Sequence, residues 1–498
     1  MKSSALMRTA AAMLACSAAS AVHIASAISA ASAAPAASAA PAAPAAPAAS
    51  AASAAPTASA APPAWVNAPV SVAGISFVQS AGGIDEYRLD ASGLQILVKP
   101  DHSAPVVSFN VTYHVGSRNE VTGTTGSTHL LEHLMFKGST HFNDPSGNSI
   151  KQYLGARGAT FNATTSYDRT NYYATLGSGD LEGYVAIEAD RMRNLWLHDA
   201  DKQAEMTVVR NEYERGKNDP NTFLREEVQA AAFMAYPYHH PTIGWKSDIE
   251  KASVGQLREF YDTFYWPNNC TVTFVGDVAP AAALALVMKY YGAISRSPHP
   301  IPEVTTEEPQ QTGARRVTVN RPGQLGSVEI AYKVPGALAA DMPALDVLGE
   351  VLSTGKNSRL YRALVDASLA LRVAAGVQAM RAAGLFEATA VLSPGAAHET
   401  VEKTILAEID KIKTGGVSAD EVNQVIHQYH AAEAYGRDGT AAVTSRLNEW
   451  ISVGDWTQYI RYGDAVARVT PADVQRVARQ YLTIEQGTTG WFVPDPSK

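Results

Sequence analysis

The sequence predicts two similar α+β domains in one chain, and three observations lead there. Residues 108–115, SFNVTYHV, alternate in the manner of a strand and return 219 positions later as residues 327–334, SVEIAYKV. Residues 253–257, SVGQL, open a helix that runs to Phe264 and Tyr265, and they return 217 positions later as TPADV at 470–474, with a helix ending near Tyr481 and Leu482. Between the copies lies the proline-rich run Ser297-Pro298-His299-Pro300-Ile301-Pro302 and a polar, acidic stretch, the composition of a linker.

The order along the chain follows. Residues 1–24 carry Lys2 and Arg8 ahead of an alanine-rich apolar run and small-residue cleavage positions, the pattern of a secretory signal peptide. Residues 25–64 are almost wholly Ala, Ser and Pro, too poor in large apolar groups to fold, and read as a flexible tether. The first domain is expected over 65–296, the linker over 297–313 and the second domain over 314–498. Export, most simply to a periplasm, is the consequence. Met13-Leu14-Ala15-Cys16 resembles a lipoprotein cleavage site, but Met and Leu fit it poorly, so anchoring through Cys16 is the weaker reading.

Charge and cysteine content narrow the class further. Lys2 and Arg8 are the only charged side chains before residue 65, so the rest holds 38 basic against 48 acidic groups, and nucleic acid is an unsuitable partner. Once the leader is removed, Cys270 is the sole cysteine and no intrachain disulfide can form. No later stretch is apolar for long enough to span a membrane as a helix.

The chemistry concentrates in His129-Leu130-Leu131-Glu132-His133. Residues four apart on a helix lie on one face, so both imidazoles can address one metal ion while Glu132 flanks them, placed to act on water. This is the H-x-x-E-H order of the inverzincins. Gly126-Ser127-Thr128 offers an N-cap, Leu130, Leu131, Leu134 and Met135 an apolar face, and Gly138 a stop. Alone, the pentapeptide also fits two half-exposed histidines on an ordinary amphipathic helix.

A catalytic zinc site needs a third protein ligand. Glu205 and Glu212 lie seven residues apart, two turns of a helix, and share a face while Val208 and Val209 turn toward packing. One carboxylate can bind the metal and the other can steady the ligands. The pair His239-His240 sits in a proline-rich loop and reads as structural.

With these segments in view, the chain resembles the pitrilysin, or insulinase, family of metallopeptidases, in the branch of short subunits related to mitochondrial processing peptidase. The likeness is carried by Val115-Gly-Ser-Arg-Asn-Glu120, by residues 129–138, by Phe161-Asn-Ala-Thr-Thr-Ser-Tyr-Asp168, by the Glu205 to Glu212 segment, and by Tyr265-Trp-Pro-Asn-Asn269 with Val275-Gly-Asp277. It implies an α+β fold of two homologous domains, each an antiparallel sheet backed by helices, enclosing a cavity. It further implies one Zn2+ per chain on His129, His133 and Glu212, with Glu132 as general base and Glu205 as supporting carboxylate.

The resemblance also implies a peptide substrate added as an extra strand beside Phe161, Asn162 and Ala163, and a metal-free second half. Its repeat of the zinc helix falls near Leu348-Gly-Glu-Val-Leu352, without histidines, and Arg359 lies in the Ser-Arg-Leu segment that follows. Members of the family carry an arginine and a tyrosine, seven residues apart, that reach from the second half to the substrate. Here those places hold Val365 and Arg372. A heterodimer is therefore expected, in which a related metal-free chain supplies the pair. The alternatives are a homodimer in which Arg359, Tyr361 or Arg372 serves, and a non-catalytic scaffold subunit of an envelope complex.

Overall fold

The computed structural model describes residues 69–495, so the signal segment, the tether and Cys16 lie outside the described residues. Seven strands form the first sheet: β1 (Ile75–Ala81), β2 (Ile84–Leu89), β3 (Gln95–Pro100), β4 (Val106–Tyr113), β5 (Thr160–Thr165), β6 (Thr170–Gly177) and β7 (Cys270–Gly276), in the order β1-β2-β3-β7-β4-β6-β5. Five form the second: β8 (Arg315–Arg321), β9 (Ser327–Val334), β10 (Ala370–Gln378), β11 (Gly384–Leu392) and β12 (Gly487–Pro494), in the order β10-β11-β9-β12-β8. Taken from β8, this order repeats β3-β7-β4-β6-β5 strand for strand, with the repeated sequence as the middle strand of each set of five, β4 and β9.

The sheets depart from the expected antiparallel pairing at one place each. β7 runs parallel to β3, and β12 runs parallel to β8. A long excursion through three further strands and several helices separates the members of each pair, leaving room for the crossover that a parallel pairing needs. The echoed helices are Val254–Phe264 and Pro471–Tyr481, both opened by a capping box, Ser253 with Gln256 and Thr470 with Asp473. Among the described residues no helix or strand falls between Tyr291 and Arg315, the span where the linker is expected.

Alternation along β4 explains how the halves dock. Val107, Phe109, Val111 and Tyr113 enter the first hydrophobic core, while Ser108, Asn110 and Thr112 face the other way and are also buried. That polar face is covered by the helix Thr440–Val453 from the second half: Ser108 donates to Thr440 Oγ1 at 2.9 Å, and Thr112 donates to Asn448 Oδ1 at 2.6 Å. Reciprocally, the helix Pro220–Ala232 of the first half lies on the second sheet, with Leu224 and Val228 packed among Val319, Ala331, Leu385 and Phe492. Gly490 permits this approach, since a Cβ there would stand 2.3 Å from Val228 Cγ2.

Between the halves lies a cavity of about 490 Å³, lined by His114, Arg118 and Asn119 from the first and by Arg381 and Trp456 from the second. The second half has a counterpart of the motif helix, Met342–Ser353. At the 219-residue offset, His129, Glu132 and His133 correspond to Leu348, Val351 and Leu352, all buried in the second core. No described helix is long and apolar enough to cross a membrane.

Candidate metal centre

The motif forms the helix Ser127–Leu134, whose Leu130, Leu131 and Leu134 are buried in the first core. Its start falls within the expected Gly126-Ser127-Thr128. Gly126, not Ser127 or Thr128, is the N-cap residue, at φ 84°, and it offers no side chain to cap with. The cap comes from upstream: Glu120 accepts the Gly126 N–H at 2.8 Å on Oε2 and the Thr128 N–H at 2.7 Å on Oε1. Burial pushes the Glu120 carboxyl up to about 8, against the hydrogen bonds from Thr128 and Gly126 that favour its charge.

The far end is held by a buried cation. Arg191 donates to the Met135 carbonyl at 3.3 Å and is itself paired with Glu188. The guanidinium at the C-terminus complements the helix dipole. The helix is capped at Met135, and the glycine expected to stop it, Gly138, instead turns the chain three residues later at φ 136°.

The second helix, Asp199–Asn218, carries Glu205 and Glu212 on one face. Val209 is buried as its spacing predicts, but Val208 is exposed and Met206 packs in its stead. Glu212 Oε2 lies 3.6 Å from His129 Nε2 and 3.4 Å from His133 Nε2. One donor atom from each of the three residues falls within 4.8 Å of the others, and no second such group of three occurs among the described residues. Two imidazoles and a carboxylate at these separations suit a four-coordinate divalent ion with one position left for solvent.

Glu205 stands behind His133, with Oε2 3.1 Å from Nδ1, and its other oxygen is paired with Lys137. The His133 hydrogen bond, then Lys137, hold the Glu205 carboxyl down at about 2 against partial burial. Burial alone would depress His133, but its bonds to Glu205 and Glu212 outweigh that and push the imidazole up to about 10. Burial and the adjacent His133 keep His129 at about 3, against the pull of Glu212. In the metal-free pair the charged form is therefore favoured at His133 and disfavoured at His129. His129 Nδ1 is buried without a hydrogen-bond partner.

Glu132 is oriented by the sheet. Thr165, the last residue of edge strand β5, donates its hydroxyl to Glu132 Oε2 at 2.5 Å. Burial raises the Glu132 carboxyl above its ordinary value, and His133 and the Thr165 bond temper the rise. The four residues His129, Glu132, His133 and Glu212, with Glu205 behind, are brought together. Three of their supports, Glu120, Lys137 and Thr165, lie inside the segments that carry the family resemblance, and only the folded contacts reveal what they do.

Other expected contacts are placed differently. Ala163 is 5% exposed and its methyl joins the core, so only its backbone can meet a peptide. The Phe161 ring packs at 6.3 Å from Phe136 at the end of the motif helix. Asn162 is half-buried on the same strand. The Arg359 guanidinium is held by Glu421 at 2.8 and 3.0 Å and by the Gly416 carbonyl at 3.1 Å, within the second half. Val365 ends a single turn at Tyr361–Val365, and Arg372 is exposed on β10. His239 bonds the Tyr236 carbonyl and His240 is buried beside Glu120.

Two family models match the chain in tandem: "Insulinase (Peptidase family M16)" over residues 95–245 and "Peptidase M16 inactive domain" over 251–429. A curated relative, zinc protease PqqE of Helicobacter pylori, is 29% identical over 408 residues, covering 81% of this chain and 91% of that protein. A solved protease from Helicobacter pylori superposes with a TM-score of 0.77 at 28% identity, covering 84% of this chain and 99% of that one. A probable mitochondrial-processing peptidase subunit beta of Arabidopsis thaliana is 22% identical, covering 78% of this chain and 75% of that protein.

Proposed function

Because the chain belongs to the M16, or insulinase, family of peptidases, we propose that it is a zinc-dependent endopeptidase acting on extended peptides. The observation that carries the proposal is the convergence of His129, His133 and Glu212 from two helices within 4.8 Å, with Glu132 beside them. The donor set fits zinc, and zinc bound there supplies Lewis acidity toward a water and a peptide carbonyl. Glu132 takes the proton of the attacking water and passes it to the departing amine. Thr165 holds that carboxylate in place, and Glu205 fixes the His133 ring so that Nε2 faces the site. Among the described residues no strand pairs with the outer edge of β5, which favours substrates that add main chain to it.

Hydrolysis of a quenched fluorescent peptide by the zinc-loaded chain, with Glu132→Gln as control, tests this reading. Near-normal turnover in the variant removes Glu132 from the role, and a chain that binds no zinc removes the whole assignment.

The reading extends to assembly and place of action. Val365 and Arg372 stand where an arginine and a tyrosine are expected, and Arg359 is engaged elsewhere, which supports a heterodimer with a related metal-free chain. Purification of the native protein with no related second chain would count against that pairing. The sequence of residues 1–24 supports export, and the boundaries at 297 and 313 remain the proposed division between the two domains.

A further inference from the structure

The β5–β6 hairpin is gripped by the second half at its turn. Thr165 pairs with Thr170, and Ser166 closes the turn by donating its N–H to the Arg169 carbonyl at 2.8 Å. Both charged residues of that turn are buried and spoken for. Asp168 Oδ2 accepts the Arg381 N–H at 3.0 Å, while Oδ1 accepts the Tyr238 hydroxyl at 2.7 Å and lies 3.2 Å from Arg118 Nε. The Tyr238 oxygen in turn accepts the Ala382 N–H at 3.2 Å. Arg381 and Ala382 form the turn between β10 and β11, the counterpart hairpin, so the two repeats meet turn to turn.

Arg169 makes the second link. One guanidinium nitrogen donates to Glu449 Oε1 at 2.5 Å, on the helix that covers the first sheet from the second half. Another reaches back to Thr164 Oγ1 at 2.6 Å and Asn171 Oδ1 at 2.7 Å. The cation therefore bridges the second half to the residue before Thr165. A paired, hydrogen-bonded buried charge fixes geometry strongly, because leaving either partner alone is costly.

Resting on the zinc-peptidase reading, we propose that Asp168 and Arg169 are positioning residues: docked on Arg381, Ala382 and Glu449 of the second half, they hold the hairpin so that the Thr165 hydroxyl stays on Glu132. The metal-free half thereby sets the general base of the other half without touching substrate or metal.

A double-mutant cycle in the full chain tests the coupling. Thr165→Val should lower kcat about tenfold, the scale of one lost hydrogen bond to a charged group, and Thr165→Ser should restore it. Glu449→Gln should lower kcat about threefold to tenfold in the native background and have no further effect in Thr165→Val. Independent multiplication of the two losses would show a merely structural role and overturn the proposal. Hydrogen–deuterium exchange, read without any substrate, supplies the second arm: Glu449→Gln should speed exchange across residues 160–177 by about tenfold while the motif helix stays protected. Tyr238→Phe, which removes the bridge from Asp168 to the Ala382 N–H and leaves the Arg381 N–H bond in place, is measured in parallel and should loosen the same segment to a smaller degree. Unchanged exchange in both variants overturns the proposal, whereas a silent native enzyme with a loosened hairpin in the variants counts against the peptidase reading alone.

Discussion

Glu205 lies 3.1 Å from the Nδ1 of His133, on the side away from the nitrogen that faces Glu212. A ring nitrogen bonded to a carboxylate is fixed in tautomer and in angle, so the opposite nitrogen is presented as a lone pair or released as a proton on demand. The consequences of that contact can be measured directly.

Replacing Glu205 with Gln should weaken zinc binding by about 10- to 100-fold while the fold persists, because an outer partner is lost but no ligand is. Competition against a zinc chelator of known affinity reads the change. An unaltered affinity would reduce Glu205 to a partner of Lys137.

Zinc uptake should release a proton well above the pH at which an ordinary histidine does. In the metal-free protein His133 is raised to about 10, so its contribution to stability is complete below its ordinary value of about 6.5 and is lost as pH climbs toward 10. Metal must displace that proton, and affinity should therefore rise about tenfold per pH unit through neutrality and beyond. Calorimetry at pH 8 in buffers of different ionisation heat should show close to one proton released per zinc; none released would contradict the assigned pairing.

Glu120→Ala should destabilise the protein by about 2 kcal/mol, since two N–H groups at the start of the motif helix lose their acceptor. Denaturant unfolding gives the value, and zinc affinity should fall with it because both histidines ride on that helix.

Gly126→Ala should be worse than a lost cap. The residue sits at φ 84° and its Cβ would stand 2.4 Å from the Ile243 carbonyl oxygen, a backbone atom that cannot swing aside. A loss of about 3 kcal/mol is expected, seen as a lower unfolding midpoint.

Arg359→Ala should leave KM for peptides unchanged. Its guanidinium is taken up by Glu421 and Gly416, and the pair is partly exposed, so stability should drop by no more than about 1 kcal/mol. A severalfold rise in KM would return Arg359 to the substrate.

What the sequence made legible was what short spacing controls. The histidine pair and Glu132 follow from one helical turn, and the two domains follow from segments that repeat at nearly one offset. Glu212 was legible only as one of two carboxylates on a shared face until the family resemblance separated it from Glu205. Residues whose meaning depends on a partner far along the chain were not legible. Glu120 caps a helix that begins seven residues later, Arg359 is claimed by Glu421, and Ala163 turns its methyl inward on an edge strand. The helix Thr440–Val453 was the hardest to place, because Thr440, Asn448 and Glu449 look like a solvent face yet dock on the polar side of β4 and on Arg169.

The exchange of helices between the halves also sets the order in which the first half is completed. A ribosome makes the motif, both glutamates and the whole first sheet before it reaches residue 440, but the polar face of β4 stays bare until Thr440–Val453 arrives to cover it. The grip on Arg169 arrives with the same helix. An unfinished chain therefore owns all three candidate ligands before the polar side of β4 and the turn at Arg169 are covered.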